Sequence, residues 1–438
     1  MTATPAKTTL EDTGLPSRPD GGPRRRIGWI VAGSLVSGLV VGLLLVAAPF
    51  IPAEESAATG ALLLGFAFGW AMLAVLSVRF SDQPQRWAAA PALFMGLGGL
   101  LLLAFGSSVE SVLMWVWPPA LLVLVVWMIV RSRQHLRSGI RWLLYPVFAV
   151  LLLGSVGGAY EAVAEAVEAN ANPMPGQLID VGGHRLHLSC TGSGSPTVVL
   201  EPGGGGMSSD LELVTQAVAG DTRVCVYDRA GRGWSEPADT PQDATQIATD
   251  LHTLLDRGQV PGPYVLAGHS FGGLYVLTFA ARYPDEIAGM VLVDSTAPAS
   301  KPSATPRGDG GSYDLAGRIS ALLSSSARLG VGRLFGATAS HAQSTVEEYV
   351  RAAASSAQAA SLDDFDDKPL FVLTAGVGSD AAWMSAQDKM VTLSPNSVHR
   401  VIDGVAHAGM IHDEQGAAAT TEAILDVLSS IRDDEPLQ

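Results

Sequence analysis

Five apolar stretches crowd the first third of the chain, at about residues 27–49, 58–78, 88–106, 111–130 and 142–160. Each holds about 19–23 residues, enough for a helix rising 1.5 Å per residue to cross a hydrocarbon core of about 30 Å. Nothing else in the sequence constrains the fold as strongly. In lipid every backbone N–H and C=O must be satisfied within the segment, and a run of this kind can then only be a helix packed on helices.

The fifth stretch is interrupted by Pro146, Gly154, Gly157 and Gly158, so a buried or interfacial helix is its other reading. Arg24 to Arg26 precede the first stretch as they would a signal peptide. Its apolar run exceeds the usual ~7–15 residues and four similar runs follow, so a retained helix is expected. Basic residues favour the cytoplasmic side of short loops. Lys7, Arg18 and Arg24 to Arg26 precede the first span, Arg79 and Arg86 lie between the second and third, and Arg131, Arg133, Arg137 and Arg141 between the fourth and fifth. The alternate loops hold Glu54, Glu55 and Glu110. This pattern predicts a cytoplasmic N-terminus and, after five crossings, a C-terminal domain outside.

The expected division is a cytoplasmic tail at 1–26, a transmembrane region at 27–160, a tether at 161–175 and an α/β domain at 176–435. Charge divides the same way: residues 1–160 carry a net +4 and residues 161–438 a net −19. An outer domain this acidic argues against nucleic acid or anionic lipid surfaces as partners. The cysteines are Cys190 and Cys225, too few for a disulfide framework or a zinc cage. An outside location permits them to pair, and two separate buried thiols are the alternative.

Beyond the tether, strand-like and helix-like patterns alternate, which predicts an α/β domain with a mostly parallel sheet. "QLIDVGGHRLHLSCTG" forms a hairpin turning at Gly182-Gly183, and "PTVVLEPG", "TRVCVYD", "YVLAG", "AGMVLVDS" and "PLFVLTAG" are buried strands. The rhythm breaks over about 295–367, a Ser, Pro and Gly-rich stretch with small-residue helices. A stretch of that length is expected to be a cap or binding insertion, with a mobile surface loop as the alternative.

Ser270 lies in G-x-S-x-G, a string that chance produces on the order of 0.4 times in a chain of this glycine content. Position gives it meaning. A strand precedes it and a helix follows, so Gly268 and Gly272 flank a sharp turn that presents the hydroxyl. A serine nucleophile needs a base, and the base needs an acid to orient it. His407, after the strand-like "HRVIDG" and before the last helix, is the expected base, with His412 as its competitor. Asp294, at the end of "VLVDS", is the expected acid, and Asp380, in "GVGSD", is the alternative. Oxyanion donors are expected from the amides of Phe271 and of Gly204 in "EPGGGG"; a phosphate cradle there would need a following G-K-[ST]. "DDFDD", Asp363 to Asp367, lacks the spacing and glycine of an EF-hand and is expected to be a solvated loop.

"GHSFGG" around Ser270, "YDRAGRGWSEP" from Tyr227 to Pro237, "VVLEPGGGG" and "VLVDS" together resemble the serine hydrolases of the α/β-hydrolase fold over about residues 176–435. The resemblance implies an eight-stranded sheet, a lid between the sixth and seventh strands, and a serine, acid and histidine in that chain order. Pro202 stands where the family has a histidine before Gly203, and Ala406 where it has a glycine before His407.

The expected function is therefore a membrane-tethered, extracytoplasmic serine hydrolase that cleaves an ester-like bond in a small, apolar acyl substrate, with no metal or organic cofactor. Peptidase, thioesterase, lactonase and haloperoxidase chemistry share the fold. A catalytically inactive binding or sensing module is the reading from another class. The sequence leaves the oligomeric state and the role of the spans open.

Overall fold

The computed structural model describes residues 24–52, 55–171, 173–238, 240–298, 315–326 and 339–437. Lys7, Arg18, Glu54 and parts of the predicted cap insertion lie outside them.

The N-terminal part is helical: α1 (Arg24–Val46), α2 (Glu55–Phe80), α3 (Ala89–Phe105), α4 (Ser107–His135), the single turn α5 (Ser138–Arg141) and α6 (Tyr145–Ala171). It contains five helices long and apolar enough to cross a membrane. The fourth and fifth run past their predicted ends, to His135 and Ala171. Hydropathy stops where Arg131 and Glu161 bring charge, whereas the helical backbone continues.

Helices α1 and α2 meet through glycines spaced four apart, Gly38 and Gly42 against Gly65 and Gly69. A Cβ on Gly65 would lie 2.3 Å from the Gly42 Cα, so only glycine allows this approach. Pro118 and Pro119 stand inside α4, where neither can donate to the preceding turn. The Ser155 hydroxyl of α6 donates to the Pro118 carbonyl at 2.7 Å and ties the two helices there.

The C-terminal part is a sheet of β1 (Gln177–Asp180), β2 (Arg185–Thr191), β3 (Thr197–Glu201), β4 (Val224–Tyr227), β5 (Tyr264–His269), β6 (Ile287–Val293), β7 (Leu370–Val377) and β8 (Ser397–Ala406). Their order is β1-β2-β4-β3-β5-β6-β7-β8. β2 runs antiparallel to both neighbours and β3 to β8 are parallel. The central strands are buried along their whole length, which is why they read as continuous apolar runs rather than as alternation.

Helices α7 (Glu212–Val218) and α14 (Glu414–Asp433) pack on one face, around Val214, Ile424 and Val427. Helices α8 (Ala244–Arg257) and α9 (Gly272–Arg282) pack on the other, around Leu251, Leu254 and Phe279. Each such fully buried side chain contributes about 1.5–3 kcal/mol. Helix α8 starts where Asp243 caps it, the carboxylate accepting from the Gln246 amide at 3.0 Å. Cys190 and Cys225 face each other across β2 and β4 and form a disulfide, which resolves the alternative that the sequence left open.

Between β6 and β7 stand two cap helices, α10 (Leu315–Ser326) and α11 (Ala339–Ala359). Helix α10 packs on both α2 and α11. Its Arg318 guanidinium donates to the carbonyls of Val46, the last residue of α1, and of Ile51 beyond it. Helices α12 (Ala381–Val391) and α13 (Gly409–His412) complete the described elements.

Candidate active site

The registers of β3, β5, β6 and β7 bring Glu201, Gly268, Val293 and Leu373 to one edge of the sheet. The loops beyond this carboxyl edge carry every candidate residue, as open α/β sheets generally place their sites.

Ser270 follows β5 at φ +55°, in the left-handed region that a residue with a side chain enters only under constraint. The constraint is visible. The Ser270 amide donates to the Val293 carbonyl at 3.1 Å, and its own carbonyl accepts from the Gly273 and Thr296 amides at 3.1 and 2.9 Å. A Cβ on Gly268 would stand 2.7 Å from the Gly272 carbonyl, and one on Gly272 2.5 Å from the Glu201 carbonyl oxygen. Both glycines are therefore required by the tightness of the turn.

Asp294 follows β6 and is also held at positive φ, +42°. Its amide donates to the Leu373 carbonyl at 2.7 Å. Its Oδ2 lies 2.6 Å from His407 Nδ1, while Oδ1 accepts from the Trp383 indole at 2.7 Å and the Ala375 amide at 3.2 Å. Burial pulls this carboxyl's pKa upward, but the hydrogen bonds from His407, Trp383 and Ala375 outweigh it and hold the group below the usual carboxylate range. Asp294 is 2% exposed and His407 47%, so the pair points one polar end inward and leaves the ring's other end open.

Asp380 does something else. It caps α12, accepting from the Trp383 amide at 2.8 Å, and so fixes the helix that presents the Trp383 indole to Asp294. His412 ends α13 and makes no side-chain hydrogen bond among those of the described residues. Those hydrogen bonds also include none between Ser270 Oγ and His407, a link that is often loose before a substrate binds.

His269 precedes the serine and is buried. Its Nε2 donates to the His407 carbonyl at 3.0 Å, and the two rings lie 4.7 Å apart. Burial first, and His407 second, push the His269 pKa down to about 4, which keeps it neutral near pH 7. It props the backbone of the histidine loop.

Gly204 sits against the Phe271 ring, where a Cβ would approach to 2.9 Å. Among the hydrogen bonds of the described residues neither the Gly204 nor the Phe271 amide donates, and Phe271 opens α9. An amide at a helix N-terminus, with a second from the adjoining glycine loop, suits a developing oxyanion.

The loop of Gly204 rests on a buried ionic cluster. Arg229 donates to the carbonyls of Pro202 and Gly203 at 2.9 and 2.6 Å, and pairs with Glu201 and with Glu348 of the cap. Glu348 in turn accepts from the Gly205 amide at 2.9 Å and pairs with Arg232 at 2.8 Å. Burial raises the Glu201 pKa to about 7, with Arg229 and the Tyr227 hydroxyl opposing the rise. Glu348 carries no signal in the sequence, where it looks like any polar residue on an amphipathic helix. Trp383 stands at the N3 position of the helix that Asp380 caps, a spacing the sequence does contain. No group of three or more metal-ligating side chains occurs among the described residues.

Residues 196–344 match the family model of the alpha/beta hydrolase fold. An uncharacterized protein of Schizosaccharomyces pombe is 36% identical over 151 residues, 28% of this chain and 28% of that protein. An uncharacterized vacuolar membrane protein of Saccharomyces cerevisiae is 27% identical over 130 residues, 26% of this chain and 20% of that one. The matches thus span less than a third of either relative's length. Among solved structures, a thermophilic esterase from Thermogutta terrifontis is 23% identical with a TM-score of 0.43, over 58% of this chain and 99% of that one. The mostly parallel eight-stranded sheet and the family match agree, and the chain joins an α/β-hydrolase domain to five N-terminal helices of membrane-span length.

Proposed function

We propose that the protein is a membrane-tethered serine hydrolase that cleaves an ester-like acyl bond through an acyl-enzyme. The observation that carries this reading is the 2.6 Å contact of Asp294 with His407 beside the left-handed turn of Ser270. In this mechanism Ser270 Oγ attacks the carbonyl carbon while His407 Nε2 takes its proton. The Gly204 and Phe271 amides stabilise the oxyanion. His407 returns the proton to the leaving group, and then activates the water that releases the acid. Asp294 holds the imidazole in the tautomer with its proton on Nδ1 and stabilises the imidazolium. A small, apolar acyl substrate is the class proposed.

The hydrolase domain is placed outside the cytoplasm. The basic residues of the alternate loops support this, and so does the Cys190–Cys225 disulfide, since such bonds persist in oxidising compartments. One experiment tests both parts. A membrane-impermeant fluorophosphonate added to intact cells is expected to label the wild type and not Ser270→Ala. Equal labelling of both variants would remove Ser270 as the nucleophile, labelling of neither before or after lysis would leave the domain a binding module, and labelling only after lysis would reverse the orientation.

A further inference from the structure

The helical bundle holds a partly open cavity of ≈ 290 Å³ whose walls come from α2, α3, α4, α6 and the cap helix α10. One end lies mid-span, at Phe66, Met95, Leu121 and Val150, and opens outward where Phe66 and Val150 are exposed. Its other end, toward the α/β domain, carries the polar residues Thr59, Glu161 and Ser325. The Thr59 and Ser325 hydroxyls are hydrogen-bonded to each other at 2.8 Å, so α10 closes this end. One wall is the Trp117 ring, stacked on Phe94 at 4.0 Å. It fits only because residue 98 is glycine, where a Cβ would lie 2.2 Å from the indole.

From Val150 to Glu161 a helix rises about 16 Å at 1.5 Å per residue. That is about half of a 30 Å hydrocarbon core, the depth of one lipid leaflet. A space with apolar walls gives water no partners, and left empty it forfeits the dispersion contacts of every atom lining it. In a membrane the solvent available to fill it is hydrocarbon. The volume suits one alkyl chain rather than two, and the polarity runs along its length as it does in an amphiphile.

We propose that this cavity binds the single long acyl chain of a fatty acid or fatty ester, with its tail toward mid-span and its head beside Thr59 of α2, Glu161 of α6 and Ser325 of the cap. The binding is independent of the chemistry assigned to Ser270. It places a lipid against α10, which packs on α11, whose Glu348 holds the Gly205 amide of the oxyanion loop.

The test uses the full chain in nanodiscs with hexadecanoic acid carrying a mid-chain diazirine, and in a second arm its ethyl ester. Labelling is expected on Met114, Trp117 or Leu151 in preference to Val123 and Leu153, which face outward at 70% exposure each, and unlabelled hexadecanoic acid should compete it away. Leu151→Trp on α6 and Met114→Phe on α4 fill the cavity from two of its walls, and each is expected to cut the competed signal at least about tenfold. If one of them fails to fold, the other still decides. Ser270→Ala should label like the wild type, so a wrong nucleophile and a wrong cavity give different results. Uncompeted labelling spread over Val123 and Leu153, or full labelling in a folded filling variant, would overturn the proposal. Labelling by the acid alone or by the ester alone identifies which head group the polar end accepts.

Discussion

At the scale of single residues, the choice between Asp294 and Asp380 turns on hydrogen-bond partners that the sequence does not display. Both follow strands, but Asp294 gathers His407, Trp383 and the Ala375 amide, whereas Asp380 caps a helix. Asp294→Asn is expected to lower kcat about 10³–10⁴-fold, because the amide favours the wrong imidazole tautomer. Asp380→Asn, which keeps a capping oxygen, should change kcat only a few-fold; steady-state kinetics on any turned-over ester checks both. Glu201 gives a pH prediction. Its folded pKa of about 7 exceeds the ordinary 4.5, so its contribution to stability is full below 4.5 and is lost as pH rises through 7. Glu201→Gln should flatten that decline, read as melting temperature against pH. Ser270 was legible because its context is local, a strand before and a helix after. Glu201 was not, because its partners Tyr227, Arg229 and Glu348 lie far along the chain.

At the scale of elements, the apolar runs told strands and spans apart by length, and the structure contains both sets. What they did not contain was the job of the cap. Helix α11 is amphipathic and rich in small residues, and nothing in its pattern says that Glu348 reaches into the ionic cluster beneath the Gly204 loop. Removing that carboxylate takes from the buried Arg232 its ion pair among the described residues and leaves the buried Arg229 with Glu201. Glu348→Ala is therefore expected to cost about 3–5 kcal/mol, the usual penalty for breaking a buried pair from one side. Thermal unfolding measures it, and Glu348→Gln, which keeps an acceptor for the Gly205 amide, should recover part of the loss. The spans show the converse limit. Hydropathy located them, but the pairing of α1 with α2 rests on Gly38, Gly42, Gly65 and Gly69, whose meaning emerges only when the helices lie side by side.

At the scale of the whole molecule, charge and hydropathy already separated a basic helical third from an acidic α/β remainder, and the family match falls within the second. Neither property could show that the two parts touch. Arg318 grips the Val46 and Ile51 carbonyls, Ser325 meets Thr59, and the other cap helix clasps the loop of Gly204 and Gly205. A fragment beginning near residue 176 is thus expected to show faster amide exchange across α10 and α11 than the full chain does; hydrogen exchange followed by mass spectrometry checks this. The cap is a beam resting on two piers, one in each part of the protein. A soluble piece cut for convenience would keep the reacting groups and lose a pier, and its preferences in a substrate screen would be those of a differently shaped enzyme.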